Sequence, residues 1–170
     1  MKQIIDITAK LKKVAWKQSN GKLDLKKVNM LVVHHEAVYA PKAYNTLDRI
    51  VADAKYQIAK GFGHYAYHYT IDNVGDIYLC VPEDEVNYHA GNLPVNKNSL
   101  AVVVQGNMEV QSPTKAQGKA LADLCEYLFT KRPDIPKLVK SGLKMHREVR
   151  TGGTACPGRY LVPLVIKLRK

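Results

Sequence analysis

The sequence predicts an α/β fold: a three-layer domain with a central mixed β-sheet flanked by helices. Three observations predict it. The chain has 170 residues, 46% hydrophobic and 24% charged, which is enough to enclose one core and close to the averages of globular domains. Short apolar runs of strand character alternate with segments whose apolar residues recur at helical spacing. The alternation lacks the strict repeat of an all-parallel sheet, which favours a mixed one.

Residues 1–28 carry weak structural signals: a short apolar stretch at 4–7, a Lys-rich stretch around Trp16, and the turn-like Ser19-Asn20-Gly21. We read them as a basic N-terminal extension packed on a domain formed by residues 29–170. A buried strand is expected at 29–35, where Val32 and Val33 precede His34 and His35. A helix should run over 46–60, with Asn45 as N-cap, Leu47, Ile50, Val51, Ala54 and Ile58 on one face, and Gly61 ending it. Residues 66–81 read as a hairpin that turns through Asp72-Asn73-Val74-Gly75.

The uninterrupted apolar run at 100–104 predicts a central strand covered on both faces. A second long helix is expected to start with Ser112 as N-cap and Pro113 in the first turn. It should bury Leu121, Leu124, Cys125 and Leu128 and stop before Pro133. A short strand at 142–145 leads to His146, and a last helix begins near Pro157 with Leu161, Leu164, Val165 and Leu168 inward.

Composition narrows the function classes. No apolar run approaches the roughly 20 residues of a membrane helix, so neither a membrane span nor a standard secretory signal is expected. The three cysteines are too few and too unevenly spaced for a disulfide framework, and we expect free thiols, with Cys80 and Cys125 as small buried hydrophobes. His64 and His68 are expected to satisfy local hydrogen bonds, and the acidic run Glu83-Asp84-Glu85 to form a solvated loop. The net charge of +11 is unevenly spread: +6 over residues 1–30, −3 over 31–136 and +8 over 137–170. Basic ends of this kind attract polyanions such as nucleic acid, anionic lipid or an acidic cell-wall polymer. No helix-turn-helix, zinc finger or aromatic RNA-binding pattern accompanies the charge, so no nucleic-acid partner is expected.

The residues with metal chemistry fall at the ends of expected strands. His34 closes the first long strand, His146 the last, and Cys156 follows a Gly-rich loop directly before Pro157. If the two strands are neighbours, two imidazoles and one thiolate can converge. Such a set fills three positions of a tetrahedral zinc and leaves the fourth open, the ligand count of a catalytic site. Successive strand side chains point to opposite faces, so His34 and His35 cannot both face one ion. Spacing alone does not choose between them; we take His34 as ligand and His35 as a packing residue.

The segments Val32-Val33-His34-His35-Glu36-Ala37, Tyr67-His68-Tyr69-Thr70-Ile71-Asp72, Asn98-Ser99-Leu100-Ala101-Val102-Val103, and His146-Arg147-Glu148-Val149 followed by Thr154-Ala155-Cys156-Pro157-Gly158 occur in one order and spacing. In these, over about residues 28–168, the sequence resembles the zinc-dependent N-acetylmuramoyl-L-alanine amidases of the type shared by phage endolysins and animal peptidoglycan recognition proteins. The resemblance implies one Zn2+ per chain held by His34, His146 and Cys156. It implies catalytic roles for Tyr67 and Thr154, and a substrate contact from His89 in the loop Asn87-Tyr88-His89-Ala90-Gly91. Some relatives carry a catalytic Glu on the strand corresponding to 99–105; Val103 stands at that position here, as in a branch that relies on Tyr with Lys or Thr.

The implied activity is hydrolysis of the amide between N-acetylmuramic acid and L-alanine in bacterial peptidoglycan, most simply by a monomeric phage-type endolysin. It would be made in the host cytoplasm, released to the wall, and drawn to anionic wall polymers by its basic ends. Two other readings compete: a peptidoglycan-binding module of the same fold that does not cut, and a basic nucleic-acid-binding protein. Non-cutting relatives typically lose the Cys ligand, and Cys156 is present.

Overall fold

The structure, a computed structural model, describes residues 2–170. Its elements are β1 (Ile5–Asp6), α1 (Thr8–Val14), β2 (Met30–His35), α2 (Thr46–Ala59), β3 (Tyr69–Ile71), β4 (Ile77–Leu79), α3 (Leu93–Asn96), β5 (Ser99–Val104), α4 (Lys115–Thr130), β6 (Leu143–Met145), α5 (His146–Val149) and α6 (Val162–Leu168). One six-stranded sheet runs in the order β1-β4-β3-β5-β2-β6. Among the described residues, the β3–β4 hairpin is the one antiparallel strand pair of the sheet and the other pairs are parallel, so the sheet is mixed. The hairpin is fixed by local chemistry. Asp72 Oδ1 accepts from the Val74 and Asp76 amides, and Gly75 takes the left-handed φ of 79° that the turn requires.

Helices cover both faces. On one face Leu31, Val33, Leu100, Val102 and Val104 pack against Leu121, Leu124, Cys125 and Leu128 of α4 and Val165 of α6. On the other, Val103 packs with Leu11 of α1 and with Ile50 and Ala54 of α2. All six residues of β5 are buried, which is why that strand reads as an unbroken apolar run. Among the described residues no helix is long and apolar enough to cross a membrane.

Several boundaries differ from the sequence expectation. The long helix α4 begins at Lys115, not at Pro113: Thr114 caps it, accepting from the Gln117 amide while the Gln117 side chain accepts from the Thr114 amide. That reciprocal pair outcompetes Ser112 as the start signal. The last helix begins at Val162 rather than near Pro157, because the backbone between them is held in turns, with the Tyr160 amide donating to the Met108 carbonyl. His146 is the first residue of α5, just past the strand end.

The segment before residue 29 is built into the fold. β1 adds to the sheet edge beside β4, Leu11 is buried, and Trp16 stacks on His64 at 4.2 Å between ring centroids. The acidic run is not a uniformly solvated loop. Glu83 ion-pairs with Arg132 at 2.7 Å and accepts from the Tyr69 hydroxyl, and Glu85 is buried, accepting from Ser19; only Asp84 faces solvent. Cationic and hydroxyl partners brought in from distant segments draw the two glutamates inward.

Candidate metal centre

The sheet register builds the site. β2 pairs in parallel with β6, Val33 opposite Met145, so the next residues, His34 and His146, leave the two carboxyl ends side by side. Their ring centroids are 4.4 Å apart. This is the end of a parallel sheet at which ligands of α/β folds usually bind. The loop after α5 then returns Cys156 to them, with Sγ 3.6 Å from His34 Nδ1. One ligand atom from each of the three lies within 4.8 Å of the others, and all three residues are buried. The return is held by the Arg147 amide donating to the Cys156 carbonyl at 3.0 Å and the Arg147 guanidinium donating to the Ala155 carbonyl.

The donor atoms suit zinc. His146 Nε2 is buried with no hydrogen-bond partner among the described residues. A buried lone pair without a partner is costly, and a cation satisfies it. Burial, followed by the neighbouring imidazoles, pushes His34 well below its ordinary pKa, and burial also lowers His146, so both rings are neutral and available as ligands. Burial pushes the Cys156 thiol up to about 12, with opposing pulls from the His35 backbone and from Arg147 and Arg150. A cation would displace its proton. Two nitrogens and one sulfur are the donor set of an open zinc site.

The other expected residues stand around this centre. The Tyr67 ring lies 5.1 Å from that of His34, and its phenol is pushed above its ordinary pKa by burial, then by Cys156, Asp53 and Glu36. Thr154 is half-buried, and its Oγ1 accepts from the Cys156 amide at 3.2 Å. His35 faces away, its Nδ1 accepting from the Met108 amide. Val103 sits beside His34 in the β2–β5 register, fully buried among apolar side chains, and brings no carboxylate to the site.

His89 turns its ring inward beside the ligands. Its ring is buried, with Nδ1 3.0 Å from His34 Nε2 and Nε2 3.0 Å from Ser99 Oγ. Both nitrogens are therefore engaged inside the protein. Sequence spacing gave no sign of this, because the partners are 55 and 10 residues away.

Two clefts flank the centre. One, of about 400 Å³, is lined by Tyr88, Asn92, Leu93 and Arg150 with the edge of His89. The other, of about 200 Å³, is lined by Tyr67, Tyr56, Glu36 and Asp53. Sequence reading missed the carboxylate pair in the second cleft. Glu36 forms a two-point ion pair with Arg49, with Nε donating to Oε1 at 2.6 Å, and also accepts from the Gly106 amide. Burial, then the neighbouring Glu36 carboxyl, pushes Asp53 up to about 8.

The model of the N-acetylmuramoyl-L-alanine amidase family matches residues 24–159. No curated protein sequence matches the chain. Among solved structures, it is similar to the endolysin N-acetylmuramoyl-L-alanine amidase LysCS of Clostridium intestinale, at 25% identity and a TM-score of 0.71, over 99% of this chain and 96% of that one. It is also similar in fold to Drosophila peptidoglycan recognition protein SD, at 24% identity and a TM-score of 0.77, over 96% and 94%. A third similar structure is peptidoglycan recognition protein LE in complex with tracheal cytotoxin, a monomeric diaminopimelic acid-type peptidoglycan, at 22% identity and a TM-score of 0.72, over 94% and 89%. The matched region takes in β2 through the loop that carries Cys156, and the chain belongs to the N-acetylmuramoyl-L-alanine amidase family.

Proposed function

We propose that this chain is a zinc-dependent peptidoglycan amidase that hydrolyses the bond between N-acetylmuramic acid and L-alanine, and that it serves as a wall-lysing endolysin of the phage type. The observation that carries this is the convergence of the buried His34, His146 and Cys156, one ligand atom from each within 4.8 Å of the others, at the carboxyl end of the sheet. The endolysin amidase LysCS supports the activity, and the peptidoglycan-bound recognition protein supports peptidoglycan as the partner. The intact Cys ligand favours cutting over binding alone.

Bound there, one Zn2+ per chain would supply Lewis acidity at the scissile carbonyl and lower the pKa of a water toward about 7. The chain's own groups supply the rest. Tyr67 keeps its proton and acts as a hydrogen-bond donor to the carbonyl oxygen as negative charge develops on it. The Thr154 oxygen is fixed by the Cys156 amide, which leaves the hydroxyl hydrogen free to make a second such bond. The two clefts on either side of the ligands give the glycan and the stem peptide separate places to lie. In this reading the protein is a monomer that resides in the host cytoplasm until it is released to the wall, where its basic ends meet anionic polymers.

Digestion of purified peptidoglycan with mass analysis of the products tests the assignment. The expected products are free muramic-acid carboxyls and free N-terminal alanines, lost on chelation. New reducing sugar ends, or no cleavage at all, would contradict it.

A further inference from the structure

We propose that His89 sets the tautomer of the imidazole ligand His34, and that Ser99 and Asn96 are positioning residues acting through it. The inference deepens the metal reading of the site and rests on it.

The assignment follows from donor and acceptor capacity along a buried chain of groups. Ser99 Oγ lies 2.7 Å from the Val95 carbonyl and 3.0 Å from His89 Nε2. A carbonyl can only accept, so the hydroxyl commits its one hydrogen to Val95 and must accept from His89. His89 therefore carries its proton on Nε2. A neutral imidazole has one N–H, so His89 Nδ1, 3.0 Å from His34 Nε2, is an acceptor. His34 must then be protonated on Nε2, which leaves the Nδ1 lone pair 3.6 Å from Cys156 Sγ. Reversing any one member would set two hydrogens or two lone pairs face to face.

One side chain holds the loop that places His89. Asn96 Oδ1, buried, accepts from the backbone amides of both His89 and Ala90, at 3.3 and 2.9 Å. Consecutive loop residues held by one amide oxygen thereby fix the His89 ring against His34. Residues that orient metal-bound imidazoles in this way typically matter about 10–100-fold for metal affinity.

Imidazole 15N NMR of the metal-free full chain reads the tautomers directly. The expected result is protonated Nε2 in His34 and His89; a His34 ring protonated on Nδ1 overturns the proposal. Zinc affinity by chelator competition is the second readout. His89→Ala should weaken binding about 10–100-fold, while His89→Gln, whose carbonyl oxygen can accept from His34 Nε2, should recover most of the loss. Equal affinity of His89→Ala and the unmodified chain overturns the proposal. An unmodified chain that takes up no zinc defeats the metal reading instead, and the tautomer measurement still decides this one.

Discussion

Tyr67 sits with its ring 5.1 Å from that of His34, and the β5 position beside that histidine holds the buried, apolar Val103. Burial raises the phenol's pKa, so it keeps a donatable hydrogen across the physiological range. Tyr67→Phe should lower kcat about 10²–10³-fold with zinc content unchanged. Near-native turnover by the zinc-loaded variant would remove Tyr67 from the chemistry.

All six histidines are held below their ordinary pKa, each chiefly by burial. Burial brings His68 to about 4, against the opposing pull of the Glu85 carbonyl that accepts from its Nε2; its Nδ1 accepts from the Ala101 amide. In the unfolded chain these rings gain protons near pH 6.5, before the native ones do. Stability is therefore fully present above about pH 6.5 and is lost as pH falls toward the native values. The urea midpoint of the metal-free protein should drop steeply between pH 7 and 5. His68 alone contributes about 3 kcal/mol of the full acid effect, and His68→Gln should flatten that part. A midpoint that does not move with pH would contradict the assignment.

Gly158 closes the loop that carries Cys156. It adopts a φ of 90°, and a Cβ placed there would lie 2.5 Å from the Met108 carbonyl carbon. Gly158→Ala should cost about 2–4 kcal/mol and weaken zinc binding, since the strain is relieved by moving the thiol. Gly152, at a φ of 87° with open space around it, is the control: its Ala variant should cost only about 1 kcal/mol and leave affinity intact. Thermal melts and zinc titrations of the two variants make the comparison, and equal losses would contradict it.

Lys10, Lys12, Lys13 and Lys17 near one end, and Lys167 and Lys170 at the other, are exposed. Attraction to an anionic wall should fade with salt, because the screening length falls to about 8 Å at physiological ionic strength. Activity on whole walls should drop several-fold from low to physiological salt while activity on small soluble fragments holds. Parallel salt curves for the two substrates would argue against electrostatic targeting.

Much of the fold was legible because the local signals and the tertiary demands agree. The apolar run at 100–104 is a strand buried on both faces, and Asn45 and Gly61 bound α2 as their chemistry dictates. The start of α4 was misread because Ser112 and Thr114 offer the same type of cap, and only the reciprocal bond to Gln117 decides between them. At the site, the sequence shows three ligand-competent side chains but not which face β2 turns toward them, since both faces of that strand are buried. His89, Asn96 and Ser99 were illegible as a unit: their roles depend on hydrogen bonds made to groups brought close only by the folded loop. The Glu36–Asp53 pair was missed for the same reason, one member lying just past a strand and the other within a helix.

X-ray absorption of the zinc-loaded protein tests the central claim most directly. The account predicts one zinc per chain with a single sulfur at about 2.3 Å and the remaining ligands nitrogen or oxygen at about 2.0–2.1 Å, the sulfur signal vanishing in Cys156→Ser. A zinc shell without sulfur, or no bound zinc at one equivalent, would contradict it.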